Sequence, residues 1–203
     1  MQKEYATESI IFTEKLCFNF SNLRAKGSKR SKNVTILFSI TSTGIILKPL
    51  AVLSSVFRIT EYSSMTYITW TQNEKGELDN DAILKWVEES LIGRTNINAH
   101  RLLLSQHYDL FDKVFLKRAF RNYGIAHAIL PTGSSCILSP FRKIIPIFKS
   151  AVINAGKNSA YAKRQQRMRG SDVLDWIVDG INMIIVDHPE LLKNSFDALI
   201  KSK

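Results

Sequence analysis

Two kinds of residue in this chain could act on a charged ligand: cations that grip an anion, and acids that hold a metal. They are unevenly spread. From Pro131 to Gly170 there is no Asp or Glu, yet Arg142, Lys143, Lys149, Lys157, Lys163, Arg164, Arg167 and Arg169 all fall there. A second basic cluster, Arg24, Lys26, Lys29, Arg30 and Lys32, precedes a β-branched run that starts at Val34. Segregation of this kind favours a polyanionic partner, most often nucleic acid. The plainer alternative is a solvated basic face with no specific ligand. Other chemistry finds little support. His100, His107, His127 and His188 show no ligand spacing, and His127, inside an apolar run, reads as a core histidine. Gly133-Ser134-Ser135-Cys136 reads as a turn of small residues rather than a nucleophile, and no Gly-rich loop leads into Lys-Ser/Thr.

The elements that must position these residues belong to one domain, residues 1–203, long enough to bury a core without disulfides or metal. The net charge is +10, with 45% hydrophobic and 23% charged residues. No apolar run reaches the roughly 18–20 residues of a membrane span. A polar start, Met1-Gln2-Lys3-Glu4-Tyr5, argues against a secretory signal, and Cys17 and Cys136 are not spaced as metal ligands. A reduced intracellular compartment is the expectation.

Along the chain, Ser9–Phe12 and Leu16–Phe20 read as two short strands, with a polar basic loop from Leu23 to Asn33. Val34–Thr41 is a strand, Ser42-Thr43-Gly44 a turn, and Ile45–Val52 a strand interrupted by Pro49, which suggests an edge or a bulge. Tyr67–Trp70 makes a further strand before a turn at Gly76. Asp79 or Asn80 caps a helix with Ile83, Trp86, Val87 and Leu91 inward. Leu102-Leu103-Leu104 is a buried strand. A helix from Leu110 faces Phe111, Val114, Phe115 and Ala119 to the core, and Ile125–Leu130 is another buried strand. Pro146 limits any helix through the basic stretch. Ser171 or Asp172 caps an amphipathic helix with Val173, Trp176, Ile177, Gly180, Ile181 and Ile184, and His188-Pro189 separates it from a last helix over Glu190–Ile200. Strands, then strand–helix–strand alternation, then helices, describe an α/β fold with a mixed sheet.

Several stretches resemble the pogo/Tigger/Jerky branch of the DDE transposases. Lys32-Asn33-Val34-Thr35-Ile36-Leu37-Phe38, running to Gly44, is similar to the family's second-strand signature, and Lys48-Pro49-Leu50 to its Pro-Pro-Leu. Ala82-Ile83-Leu84-Lys85-Trp86 resembles its Phe-Leu-x-Trp helix, and Leu130-Pro131-Thr132-Gly133-Ser134-Ser135 its Ile-Pro-x-Gly-Cys-Thr/Ser loop. Pro140-Phe141 and Phe148-Lys149 fall where the family has Gln-Pro-Leu-Asp and Pro-Phe-Lys. The segments from Ser171 to Ile177 and from Pro189 to Phe196 look like its closing helices. The resemblance implies a ribonuclease-H-like mixed sheet flanked by helices, with a helical C-terminal end. It also implies a domain without the helix-turn-helix modules that precede it in the family.

The same resemblance implies two Mg²⁺ ions held by three carboxylates. Aligned on the motifs, the three positions carry Thr7, Ser105 and Arg142. The expectation is therefore three side chains close in space that mark a vacated site, with Mg²⁺ binding and nuclease activity lost. Arg142, Lys143, Lys149, Lys163, Arg164, Arg167, Arg169, Lys29 and Arg30 would contact DNA without reading its sequence. The expected location is the nucleus. The alternatives are a scaffold for nuclear protein partners and a transposon remnant without function.

Overall fold

The computed structural model describes residues 10–20, 32–59, 67–92, 101–105, 111, 114–130, 139–159 and 168–194. Six strands form one sheet: β1 (Ile10–Asn19), β2 (Asn33–Thr41), β3 (Leu50–Ser54), β4 (Thr69–Asn73), β5 (Arg101–Ser105) and β6 (Ile125–Ile129), in the order β4-β3-β2-β1-β5-β6. β1, β2 and β3 are an antiparallel meander. β5 then pairs parallel to β1, β6 parallel to β5, and β4 parallel to β3. This is the mixed α/β sheet of ribonuclease-H-like folds.

β1 is one strand where two were expected. The polar triplet Thr13-Glu14-Lys15 does not break it, because pairing with Ser39, Phe38 and Leu37 continues without interruption. Thr13 tolerates the interior because its hydroxyl meets that of Ser39 at 2.9 Å, and a buried polar group is tolerated where it is paired. Pro49 corrects the edge expectation. β3 lies inside the sheet, and the proline stands just before its first residue, so no ladder donor is lost. Gly44 turns the chain at φ 85, and a Cβ there would come within 2.8 Å of the Leu192 carbonyl oxygen, so the position needs glycine twice over.

Strand alternation sends side chains to two layers. One layer is covered by α1 (Asn80–Trp86), which runs on into a π-helical turn over Val87–Ile92, and by α2 (Val114–Asn122). Its core holds Ile11, Leu37, Leu50, Val52, Leu103 and Ile125 from the sheet with Ile83, Trp86, Leu91, Phe111, Leu116 and Phe120. Asp79 caps α1, its side chain accepting from the Ala82 N–H at 2.9 Å. The other layer is covered by α3 (Phe141–Asn158), α4 (Gly170–Asp187) and α5 (Pro189–Lys193). Phe12, Phe18, Ile36 and Phe38 meet Phe141, Ile144, Phe148 and Ile177 there.

Four helix and strand expectations are corrected. α2 buries Leu116 and Phe120, while Val114 and Phe115 are exposed: the helix is rotated so that the turn carrying Phe120 meets the sheet. β6 is buried only at Ile125 and opens to solvent by Ala128 and Ile129, because it is the last strand of the sheet. α3 passes straight through Pro146. Pro146 and Arg142, whose carbonyl loses its helical donor, are both exposed residues. α4 starts at Gly170, with Arg169 as its cap residue, whose backbone N–H donates to Asp172 Oδ2 at 2.9 Å. Asp172 thus serves the cap from inside the first turn.

Candidate functional site

The parallel pairing of β1 with β5 sets Thr13 directly beside Ser105, the last residue of β5. Both point into the α1–α2 layer, in phase with Ile11 and Leu103, and both are buried. Ser39 stands across from Thr13 on β2. On the other side, Ser105 Oγ and His127 Nε2 are 2.8 Å apart, the histidine lying two residues back along β6 from Ile129, the direct partner of Ser105. A row of polar groups, Ser39, Thr13, Ser105 and His127, thus crosses four neighbouring strands near the end of β5. The His127 ring is edge-on to Phe111 at 5.1 Å and tilted against Phe120 at 6.1 Å. It is a packed histidine with a specific polar partner.

The row holds no ionised carboxylate. Glu14, next to Thr13, points to the opposite layer, as alternation requires. There Phe38, its partner across β2, packs on Phe141 at 5.7 Å. Among the described residues no group of three or more His, Cys, Asp or Glu could hold a metal ion. At the opposite end of β5 a buried charge stands on Arg101. Its Nη1 donates to the Leu91 carbonyl at 2.6 Å, and burial lowers its pKa from the ordinary guanidinium value. This side chain ties β5 to the π-helical turn, and Trp86 of α1 packs on Phe111 at 6.3 Å.

Of the three positions expected to meet, Thr7 lies outside the described residues. Ser105 is buried on one side of the sheet, and Arg142 is exposed in the first turn of α3, the helix that covers the other side. Among the described residues no hydrogen bond, ion pair or ring contact joins Ser105 to Arg142. Thr13 received no site reading from sequence, and His127, read there as a core histidine, is half-buried with Ser105 as its polar partner. The signal for Thr13 was available: Phe12, Glu14, Leu16 and Phe18 keep one period-two phase, which makes a single strand and sets Thr13 in line with Ile11.

The basic residues divide as clearly. Arg142, Lys143, Lys149 and Lys157 belong to α3, all exposed except Lys149, which is half-buried, and α3 contains no acid. Arg169 is exposed at the start of α4. Lys163, Arg164, Arg167, Lys29 and Arg30 lie outside the described residues. α4 carries Asp172, Asp175, Asp179 and Asp187 and no Lys or Arg. The two helices pack closely: a Cβ added to Gly180 would lie 3.1 Å from the Phe148 ring and 3.2 Å from Val152. A cationic and an anionic helix thus lie side by side on one face of the sheet. No described helix is long and apolar enough to cross a membrane.

No curated protein matches the sequence. Among solved structures, the chain is similar to a chain in the simian T-cell lymphotropic virus intasome bound to PP2A regulatory subunit B56 gamma. The TM-score is 0.45 at 9% identity, over 87% of this chain and 49% of that one. The present chain therefore spans about half of that chain's length, a distant likeness that assigns no function. The family comparison is decisive by its extent: the model of the DDE superfamily endonucleases matches residues 30–187, from the segment before β2 to the last residue of α4. That match covers most of the chain and all but the first of its six strands, and by it the protein belongs to the DDE superfamily endonuclease family.

Proposed function

We propose that this chain is a degenerate transposase domain of the pogo/Tigger/Jerky branch that no longer cuts DNA but associates with it in the nucleus, independently of sequence, through its basic surface. The observation that carries the reading is the pair of neutral hydroxyls, Thr13 and Ser105, side by side on the central parallel strands of a chain from an endonuclease family. Cleavage by two divalent metals needs carboxylate oxygens at each ligand position. Thr13 and Ser105 offer none, and their hydroxyls are engaged with Ser39 and His127. The residues present do not fit Mg²⁺.

In this reading Thr13, rather than Thr7, takes the place of the first acid. Directly paired residues on one sheet face are the nearest side chains two strands offer, and Thr13 is the direct neighbour of Ser105. Glu14 does not substitute, because it faces the other layer. Arg142 stands at the third position in the sequence alignment and brings the charge opposite to the one a metal site requires. It fits a phosphate instead.

The test is duplex DNA binding by this chain over a salt series, with Mg²⁺ present and the DNA checked for nicks. Binding that weakens steeply with salt and leaves the DNA intact is expected. Mg²⁺-dependent nicking that Ser105→Ala or Glu14→Gln abolishes would overturn the reading. Replacing Thr13, Ser105 and Arg142 together by Asp is expected not to restore cutting, since the groups that orient metal ligands are themselves changed.

A further inference from the structure

We infer that the nucleic acid lies along the outer face of α3 as a duplex, turned away from α4, and is held by its phosphates through Arg142, Lys143, Lys149 and Lys157. The inference rests on the DNA-association reading above and adds where the contact is made, which form of DNA it suits and what limits it.

The cations of α3 share one side of the helix. Arg142, Lys149 and Lys157 stand about two turns apart from one another in succession, and Lys143 flanks the first of them. At a rise of ~1.5 Å per residue the row runs about 22 Å. Duplex DNA presents one charge per ~1.7 Å of its axis, so roughly a dozen phosphates pass a row of that length whatever the base sequence. Arg142 and Lys143 also occupy the first turn, where the helix dipole adds to the attraction for an anion.

The residues exposed between the cations are Pro146, Ser150, Ile153 and Asn154. None is aromatic. The two rings α3 does carry, Phe141 and Phe148, are buried against Phe38. Single strands are held by stacking bases on exposed aromatic side chains as well as by charge. This face supplies charge alone, which suits the dense phosphates of a duplex.

α4 supplies the limit. It packs on α3 through Gly180, and its solvent side bears Asp175, Asp179 and Asp187. Packed helices lie about 8–10 Å apart, close to the ~8 Å Debye length at physiological salt. A duplex drawn to α3 therefore meets repulsion on the side of α4, and the acidic helix confines it to one side of the face.

The experiment measures fluorescence anisotropy of the full chain with a duplex of about 20 base pairs and with a single strand of equal length, across salt. Four phosphate contacts give a log–log salt slope near −3.6, from about −0.9 per contact. The duplex is expected to bind more tightly than the single strand. Lys143→Glu with Lys157→Glu, both at exposed positions, should weaken duplex binding tenfold or more, by the order of magnitude expected for lost phosphate contacts, and reduce the slope by about two. Asp179→Lys with Asp187→Lys should tighten it about threefold or more. Tighter binding of the single strand, or reversal on α3 without effect, overturns the inference while DNA association stands. So does weaker binding on reversal in α4. Binding of neither probe at low salt overturns both.

Discussion

The two layers of this sheet are built from the same strands and differ in what they bury. The layer under α3 and α4 is closed by rings: Phe148 stacks on Phe38 at 5.2 Å and meets Phe18 edge-on at 6.0 Å, and Phe20 tilts against Trp176 at 5.9 Å. The layer under α1 and α2 is apolar over much of its area but carries the row Ser39, Thr13, Ser105 and His127 near the end of β5. A purely apolar layer is fixed by volume, and a residue lost from it leaves a cavity. A row of hydroxyls is fixed by pairing, and it accepts exchange among small polar groups as long as each keeps a partner. Exchange among small polar side chains in such a row leaves the rings across the sheet undisturbed.

The largest expected effect tests the ringed layer. Phe148→Ala should cost about 3–5 kcal/mol of unfolding free energy in a urea titration, because neighbours on three elements lose contact at once. A loss below about 1 kcal/mol would show that this layer is not the more tightly packed of the two. Next comes a charge set in the hydroxyl row. Ser105→Asp should destabilise by roughly 2–4 kcal/mol near neutral pH, since the new carboxylate is buried. Burial raises the pKa of such a carboxyl, so its neutral form is favoured as pH falls. The penalty should therefore shrink as the titration is repeated down through the carboxylate range, and a penalty that grew instead would mean the charge is welcomed.

Smaller again is Thr13→Val, which leaves Ser39 without its 2.9 Å partner and should cost about 1–2 kcal/mol. Adding Ser39→Ala should return most of that loss. If the double substitution is worse than the single one by a similar amount, the row is held by packing and the contrast between the layers dissolves. The smallest effect lies outside both layers. Pro146→Ala restores a helical donor on the exposed side of α3 and should raise stability by about 1 kcal/mol, read as a small rise in Tm.

Much of the architecture was legible because it follows from periodicity. The β-branched run from Val34, the apolar faces of α1 and α4, the turns at Gly44 and Gly76 and the cap at Asp79 each express a local rule, and each appears where the rule sets it. What escaped depends on neighbours far along the chain. Thr13-Glu14-Lys15 looks like a break until Ser39 supplies the hydroxyl that satisfies Thr13. Val114 and Phe115 look like core until the position of β6 selects Leu116 and Phe120. Pro146 looks like a stop until it is placed on the exposed side of α3. The site followed the same division. The neutral residue at the end of β5 could be read from an apolar run ending in serine. The alternation along β1 puts Thr13 on the face of Ile11, but its place beside Ser105 could not be read, because register between β1 and β5 spans about 90 intervening positions that no local pattern encodes. Nor could the bond from Ser105 to His127, which joins two strands through their order in the sheet.

The contact of Gly44 with the backbone of Leu192 has a consequence for how the chain is made. The β1–β2–β3 meander can pair soon after it leaves the ribosome. The rings that cover Phe38 begin at Phe141, and the segment that seats Gly44 is the last one described. At about 5–20 residues per second, roughly a hundred further residues take some 5–20 seconds to appear. For that interval Phe12, Phe18, Phe38 and Ile40 form an uncovered apolar surface on a growing chain. Yield in cells should therefore respond to translation speed and to chaperones that shield nascent chains, even though the finished protein buries those side chains.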